Sequence, residues 1–247
     1  MNALLLLLLD TRAPAGAHHH SGGMEAAVGT GLVAGLSDLE DFCQARLRTS
    51  ARVTAAFAAA ACHLQADFPE RAPLPAPASP DAPRADANPC PPPDPWAELD
   101  AEFDARTPSP AMRAASRQLG GGLLRLLRSL HPAQETPWPR GARPAPHHPL
   151  VLGAGIHLAG GSPELAARAA ALAACASPAS AAVRLLGLDP FAVQAMLARL
   201  APGIDECARR AAKDAAGPPS SLPADGAPAL DLLADFHLTA EVRLFAS

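Results

Sequence analysis

The sequence predicts an all-α protein, and three observations lead to that fold class. Ala and Leu supply most of the apolar content, which favours helices. Tyr is absent and aromatic residues make up only 4% of the chain, whereas strands prefer β-branched and aromatic residues. Apolar residues also recur at helical spacing behind repeated helix-start signals. We therefore predict one domain over residues 1–247, a bundle of roughly eight to ten helices.

The N-terminal segment predicts a short buried helix, a turn and a second helix. Leu4 to Leu9 is continuously apolar, and Pro14 and Gly16 then favour a turn. Three consecutive histidines precede Ser21, which we expect to cap a helix that opens at Met24. Glu25 falls in the first turn of that helix, where a negative charge complements the helix dipole.

The next apolar pattern predicts a helix with a capping box. Ser37 and Glu40 stand three residues apart, as the capping box requires. Leu39, Phe42, Cys43 and Leu47 then follow at helical spacing. Arg46 and Arg48 are assigned to other parts of the helix surface. From residue 53 to residue 64 the pattern either continues the same helix or restarts as a second one.

Residues 69–95 form a Pro-rich insertion, for which we predict a flexible loop. Eleven of these twenty-seven residues are proline, and the rest are mostly Ala, Asp and Ser. Such a segment buries too little apolar surface to offset the entropy cost of ordering it.

Downstream of the insertion, an oxygen-bearing residue followed by proline marks five predicted helix starts. Proline is favoured at the first helical position because its missing N–H has no intrahelical partner there. The five pairs are Asp94-Pro95, Ser109-Pro110, Ser162-Pro163, Ser177-Pro178 and Asp189-Pro190. A sixth helix is predicted to open at His148-Pro149 and to run to Ala159. Gly120-Gly121-Gly122 interrupts one apolar pattern and indicates a kink or a close helix crossing.

Arg184 stands alone in a nearly continuous apolar run that has the composition of a central helix. Burying an arginine without a carboxylate partner is costly. We therefore expect Arg184 either to form an internal salt bridge or to face an interface.

Residues 222–247 form a predicted C-terminal docking tail. Leu230, Leu233 and Phe236 can share one helical stripe, and the chain ends near the apolar pair Leu244-Phe245. This tail is too short to form its own core. It should therefore dock on this chain, on a second copy or on another protein.

Composition excludes several classes of function. The net charge is −4, and Lys and Arg are scattered, so a nucleic-acid partner is not indicated. The N-terminal apolar run is shorter than the ~20 residues of a membrane span and lacks a basic flank, although a small-residue stretch after it leaves secretion open. The five widely spaced cysteines (Cys43, Cys62, Cys90, Cys175 and Cys207) contain no C-x-x-C pair. We predict reduced thiols and a cytoplasmic location.

Neither catalysis nor a resident metal is predicted. The sequence contains no G-x-S-x-G, H-E-x-x-H or Walker pattern, so an enzyme is not expected. His18, His19 and His20 are weak candidates for a metal site, because imidazoles can bind Ni²⁺. A histidine-rich surface loop, or a structural role for His20 alone, explains the same residues without a metal.

The two ends of the chain resemble the urease accessory protein UreF family. The N-terminal signature of that family is matched at Asp10, Pro14, Gly16, His20, Ser21, Gly23, Met24 and Glu25, with departures at Ala13 and His18. The C-terminal signature is matched at His237, Arg243, Leu244, Phe245 and Ser247, with departures at Leu238, Ala240 and Glu241. Residues 148–151 and 180–185 also resemble motifs of the family.

The resemblance implies a scaffold without catalytic activity. Members of the family form homodimers, bind UreD/UreH, recruit the GTPase UreG and deliver nickel to the urease apoprotein, with nickel and GTP handled by the complex. The resemblance also implies a set of candidate interface residues: His20, Ser21, Glu25, Arg184, His237, Arg243 and Phe245. The alternatives are a histidine-rich nickel or zinc binder that acts alone and an unrelated soluble hydrolase.

Overall fold

The residues that the structure describes form ten α-helices and no β-strand. The structure, a computed structural model, describes residues 3–10, 20–68, 94–132 and 136–238. The helices are α1 (Ala3–Leu9), α2 (Met24–Gly29), α3 (Leu36–Arg48), α4 (Ser50–Ala66), α5 (Pro95–Ala105), α6 (Pro110–Leu130), α7 (His148–Leu158), α8 (Pro163–Leu186), α9 (Pro190–Asp214) and α10 (Pro228–Leu238). The predicted all-α fold is confirmed, and the apolar pattern after residue 48 starts a new helix.

Two alanine-rich helices, α4 and α8, form the centre of the bundle. Helix α4 packs against α7, α8 and α9, and α8 also contacts α2, α3 and α7. The buried faces carry small side chains, which let the backbones approach closely. By length and composition alone, α8 could cross a membrane. Its packing against five other helices accounts for the same composition within the fold.

Close backbone approaches explain two glycines that lie inside helices. A Cβ at Gly153 of α7 would overlap the Ala58 carbonyl oxygen on α4 and would lie only 2.9 Å from the Cys62 nitrogen on the same helix. A Cβ at Gly120 of α6 would similarly overlap the backbone at Pro146 and His147. The glycines in α6 therefore mark a close crossing of chain segments, one of the two outcomes that the sequence predicted.

Four of the five predicted proline-marked helix starts are confirmed. In each case the side-chain oxygen of the cap accepts a hydrogen bond from a backbone N–H of the first turn. The caps are Asp94, Ser109, Ser162 and Asp189, with nitrogen–oxygen distances of 3.1–3.2 Å. Pro95, the last residue of the predicted insertion, belongs to α5, and residues 69–93 lie outside the described residues.

The predicted capping box at Ser37 and Glu40 is wrong. Helix α3 begins at Leu36 with Gly35 in the cap position, so Ser37 already lies in the first turn. The carboxylate of Asp38 instead accepts a hydrogen bond from the Ala34 nitrogen at 2.9 Å. A carboxylate that reaches back to the preceding segment thus stabilises this helix start.

The predicted helix start at Ser177-Pro178 is also wrong, because α8 runs through Pro178 without a break. Proline has no backbone N–H, so the carbonyl oxygen of Ala174 loses its usual partner one turn later. Arg46 of α3 replaces that partner, since its Nε donates a hydrogen bond to the Ala174 oxygen at 3.0 Å. A side chain from another helix therefore satisfies the carbonyl that the proline leaves open.

Candidate functional site

Residues 20–23 form a tight loop that packs into the bundle immediately before α2. His20 and Ser21 are buried, and Gly22 and Gly23 have positive φ angles of 61° and 85°. Left-handed backbone of this kind favours glycine. Gly23, not Ser21, occupies the cap position of α2. The Ser21 hydroxyl oxygen nevertheless accepts a hydrogen bond from the Glu25 nitrogen at 3.4 Å, so Ser21 still satisfies a donor of the first turn.

Arg46 fastens this loop to the centre of the bundle. Besides Ala174, its guanidinium donates to the Gly22 carbonyl oxygen at 2.8 Å through Nη1. The side chain is only 8% exposed, and desolvation lowers the pKa of Arg46. One buried guanidinium thus connects α3, the proline-containing turn of α8 and the loop.

The surface position predicted for Arg46 is therefore wrong. The residue lies three positions after Cys43 and seven after Leu39, so it shares their buried face. The missed signal was an arginine on an apolar helical stripe combined with a proline inside another apolar helix. The arginine is a buried hydrogen-bond donor, and the proline leaves the Ala174 carbonyl oxygen without its helical N–H partner.

A cleft of about 190 Å³ opens beside the loop. His20, Gly22 and Arg46 line one side, and His148 at the start of α7 contributes to the wall. Desolvation, together with repulsion from His20, lowers the pKa of His148 to about 4. His20 and His148 therefore meet at this cleft, where the His148 imidazole is neutral at pH 7.

Neutral His148 makes the stability of the fold sensitive to acid. The pKa of His148 falls from 6.5 to about 4 on folding, so the unfolded chain binds more protons between these pH values. Stability is fully present above pH 6.5 and is lost as the pH falls towards 4, by about 3 kcal/mol for this group. We expect His148→Asn to flatten that part of the stability curve, as measured by urea unfolding across the pH range. The control is His63→Asn on the exposed face of α4, a substitution that does not touch the cleft.

A second polar network lies next to the cleft and is structural. His147 Nε2 lies 2.8 Å from Asp104 Oδ1, and its Nδ1 lies 3.0 Å from the Ser116 hydroxyl. Among the described residues, Asp100, Asp104 and His147 are the one group of three whose spacing could hold a metal ion. Arg117 donates to both carboxylates, at 2.9 and 2.6 Å. Its guanidinium supplies the positive charge that a cation would bring.

Helix α10, the last described helix, lies beside both α6 and α2. Asp235 of α10 accepts hydrogen bonds from the Ser109 hydroxyl at 2.5 Å and from the Ala111 nitrogen at 3.4 Å, which holds α10 against the start of α6. Helix α10 also packs against α2. An apolar groove of about 520 Å³ runs between them, lined by Thr30, Gly31, Leu32, Ala229, Leu232 and Leu233. We call these six residues the α2–α10 groove.

The predicted interface residues do not all share one location. His20 and Ser21 lie in the loop, and Glu25 is partly buried on α2. Arg184 is exposed on α8, so the cost of burying its charge does not arise. His237 belongs to the last turn of α10. Arg243, Phe245, His18 and His19 lie outside the described residues.

Comparisons with known proteins place the chain among urease accessory proteins. A family model described as UreF matches residues 33–201. The chain is 40% identical over 245 residues to the urease accessory protein UreF of Mycolicibacterium vanbaalenii, covering 99% of this chain and 98% of the relative. It is 40% identical over 246 residues to that of Mycobacterium marinum and 37% identical over 245 residues to that of Mycobacterium tuberculosis, with the same coverage. The chain belongs to the UreF family.

Proposed function

We propose that the chain is a urease maturation scaffold that bridges UreD/UreH and the GTPase UreG during nickel insertion into apo-urease. The observation that carries this proposal is the contact between α2, which opens at the N-terminal signature residues Met24 and Glu25, and α10, which contains the C-terminal signature residue His237. Family membership along nearly the full chain supports it. The chain itself performs no catalysis in this scheme, and nickel and GTP are handled by the assembled complex.

We assign the α2–α10 groove to the UreD/UreH contact. Leu32 is 55% exposed and Leu232 is 70% exposed, so two large apolar side chains flank one groove. An exposed apolar surface of this kind is typical of a protein interface. The C-terminal signature residue His237 lies on α10, the helix that forms one wall of the groove, and Arg243 and Phe245 follow it in the sequence.

We assign the contact between two copies of the chain to the turn between α8 and α9. Phe191, at the first turn of α9, is 84% exposed. Arg184 is exposed seven residues earlier in the sequence, near the end of α8. Aromatic and arginine side chains dominate the energetics of protein interfaces. The homodimer therefore uses a surface distinct from the α2–α10 groove, and it leaves that groove open to UreD/UreH.

A cytoplasmic location fits this role. The four cysteines among the described residues, Cys43, Cys62, Cys175 and Cys207, are buried free thiols. Reduced thiols are usual in the cytoplasm, where GTP is also available to UreG. The location is part of the proposal and is open to test by fractionation of the host cell.

A charge introduced into the groove is expected to disrupt the complex. Leu232→Asp should weaken binding to UreD/UreH by about tenfold or more, because a carboxylate would lose water on binding without gaining a partner. The measurement is co-purification with UreD/UreH and UreG, together with urease activity after co-expression. Leu172→Asp is the matched control, since Leu172 is an exposed leucine on α8 away from the groove.

Three results would separate the proposed function from its alternatives. Both variants should remain folded and dimeric, as judged by circular dichroism and light scattering. Unchanged co-purification of Leu232→Asp would overturn the groove assignment. Tight stoichiometric nickel binding by the isolated chain, lost when His18, His19 and His20 are replaced, would instead support a metal binder that acts alone.

A further inference from the structure

Two buried cysteines from distant parts of the chain face each other between α3 and α8. Cys43 and Cys175 are both fully buried. The Cys43 sulfur lies 3.8 Å from the Cys175 carbonyl oxygen, and the Cys175 sulfur lies 3.9 Å from the Cys43 carbonyl oxygen. The interaction between the two thiols shifts their pKa values in opposite directions. This reciprocal arrangement brings together sulfurs that are 132 residues apart in the sequence.

The two thiols have different acidities because of their surroundings. The hydrogen bond from Cys43 lowers the pKa of Cys175, desolvation opposes this, and the Arg46 charge lowers it further. The same hydrogen bond and burial raise the pKa of Cys43. Of the two thiols, Cys175 has the lowered pKa, so it is the one expected to lose its proton first. A thiolate beside a second thiol and a cationic group is the arrangement of a reactive dithiol.

The other two described cysteines provide an internal contrast. Desolvation raises the pKa of both Cys62 and Cys207 to about 11. The strongest sulfur contact of Cys62 is to a backbone carbonyl, that of Gly161 at 4.0 Å. The raised pKa values keep these two thiols protonated, whereas the pKa of Cys175 is lowered, so oxidation should begin at the Cys43–Cys175 pair.

We propose that Cys43 and Cys175 are a site of oxidative modification, at which a peroxide produces an intrachain disulfide. The Cys175 thiolate attacks one peroxide oxygen, the O–O bond breaks, and the released hydroxide takes a proton to become water. The Cys43 sulfur then attacks the Cys175 sulfenic acid, the S–S bond forms, and a second water leaves. The two thiols lose two electrons and two protons in total, and one peroxide is reduced to two waters.

Neither Cys43 nor Cys175 lines the cleft beside the 20–23 loop, so a peroxide must pass its wall to reach them. Arg46, whose charge acts on Cys175, lines that cleft, and so does Ala174, the residue adjacent to Cys175. A disulfide requires the two sulfurs to come within ~2 Å of each other. The new bond would cross-link α3 to α8, the helices that Arg46 already connects.

The test uses the full-length chain carrying Cys90→Ser, which leaves four cysteines, all buried in the fold. The reduced protein is treated with hydrogen peroxide, alkylated and mapped by mass spectrometry. We expect a Cys43–Cys175 cross-linked peptide, the loss of two hydrogen atoms from the intact mass, and a urea midpoint that rises and returns on reduction. A long closed loop constrains the unfolded chain, which is why the midpoint should rise.

Matched variants assign the two sulfurs their roles. Cys43→Ser should leave Cys175 as a sulfenic acid that dimedone traps, and Cys175→Ser should give neither product. The Cys62→Ser, Cys207→Ser double variant should form the cross-link as the parent does. Oxidation that begins at Cys62 or Cys207, or the absence of a Cys43–Cys175 peptide from the folded parent protein, would overturn the proposal even if a variant failed to fold.

Discussion

Gly153→Ala is expected to lower the free energy of unfolding by about 3 kcal/mol or more, or to prevent folding. The added Cβ would overlap the Ala58 carbonyl oxygen and would lie 2.9 Å from both the Ala61 Cβ and the Cys62 nitrogen. Two of these three neighbours are backbone atoms of α4, so no side-chain rotation relieves the overlap. Helices α4 and α7 would have to separate at the centre of the core.

Gly121→Ala is the matched control for this prediction. Its Cβ would meet the Ala145 Cβ at 3.4 Å, which is close to ordinary contact. Because alanine has the higher helix propensity, this substitution should stabilise α6 by up to about 1 kcal/mol. Urea unfolding of both variants measures the difference. If Gly153→Ala unfolded at the wild-type urea concentration, the close packing of α4 and α7 would be refuted.

Arg46→Met is expected to detach the 20–23 loop and to abolish urease activation in a co-expression assay. Methionine keeps much of the apolar length of arginine but donates no hydrogen bond. The carbonyl oxygens of Gly22 and Ala174 would then both lose their donor. An unsatisfied buried acceptor costs about 1–3 kcal/mol, and the loop can avoid this cost only by leaving its place. We expect increased hydrogen–deuterium exchange at residues 20–29.

Pro178→Ala separates the two functions of Arg46. The alanine supplies the N–H that α8 lacks, so Ala174 gains a helical partner without help from Arg46. The double variant Arg46→Met, Pro178→Ala should therefore recover stability relative to Arg46→Met. It should not recover urease activation, because Gly22 still has no donor. Restoration of activation by Pro178→Ala would show that the loop contact is dispensable.

The sequence predicted features that depend on local physics. Helix number and class followed from apolar spacing, and Asp94, Ser109, Ser162 and Asp189 acted as caps because the cap and its N–H lie within a few residues of each other. The local pattern also located the α7 start at His148-Pro149. The prediction at Gly120 held for a similar reason, since glycine in an apolar helical pattern indicates close backbone contact.

The features that local patterns missed depend on partners far away in the chain. Pro178 continues a helix only because Arg46, more than a hundred residues earlier, satisfies the Ala174 oxygen. The cluster of Asp104, His147 and Arg117 likewise draws on three separate helix ends or faces. We expected Arg184 to lie on a buried helix, but the residue is exposed. In a helix this rich in alanine, apolar spacing does not show which side faces the solvent. The sequence also did not predict the α2–α10 groove, because its two walls come from residues about two hundred positions apart in the chain.

Hydrogen–deuterium exchange of the chain with and without purified UreD/UreH tests the central claim most directly. The claim is that the α2–α10 groove binds UreD/UreH. We expect the partner to protect amides in residues 24–32 and 228–238 together, while exchange at the α8–α9 turn stays as it is in the free chain. Protection confined to other helices, with both of these segments unchanged, would contradict the account.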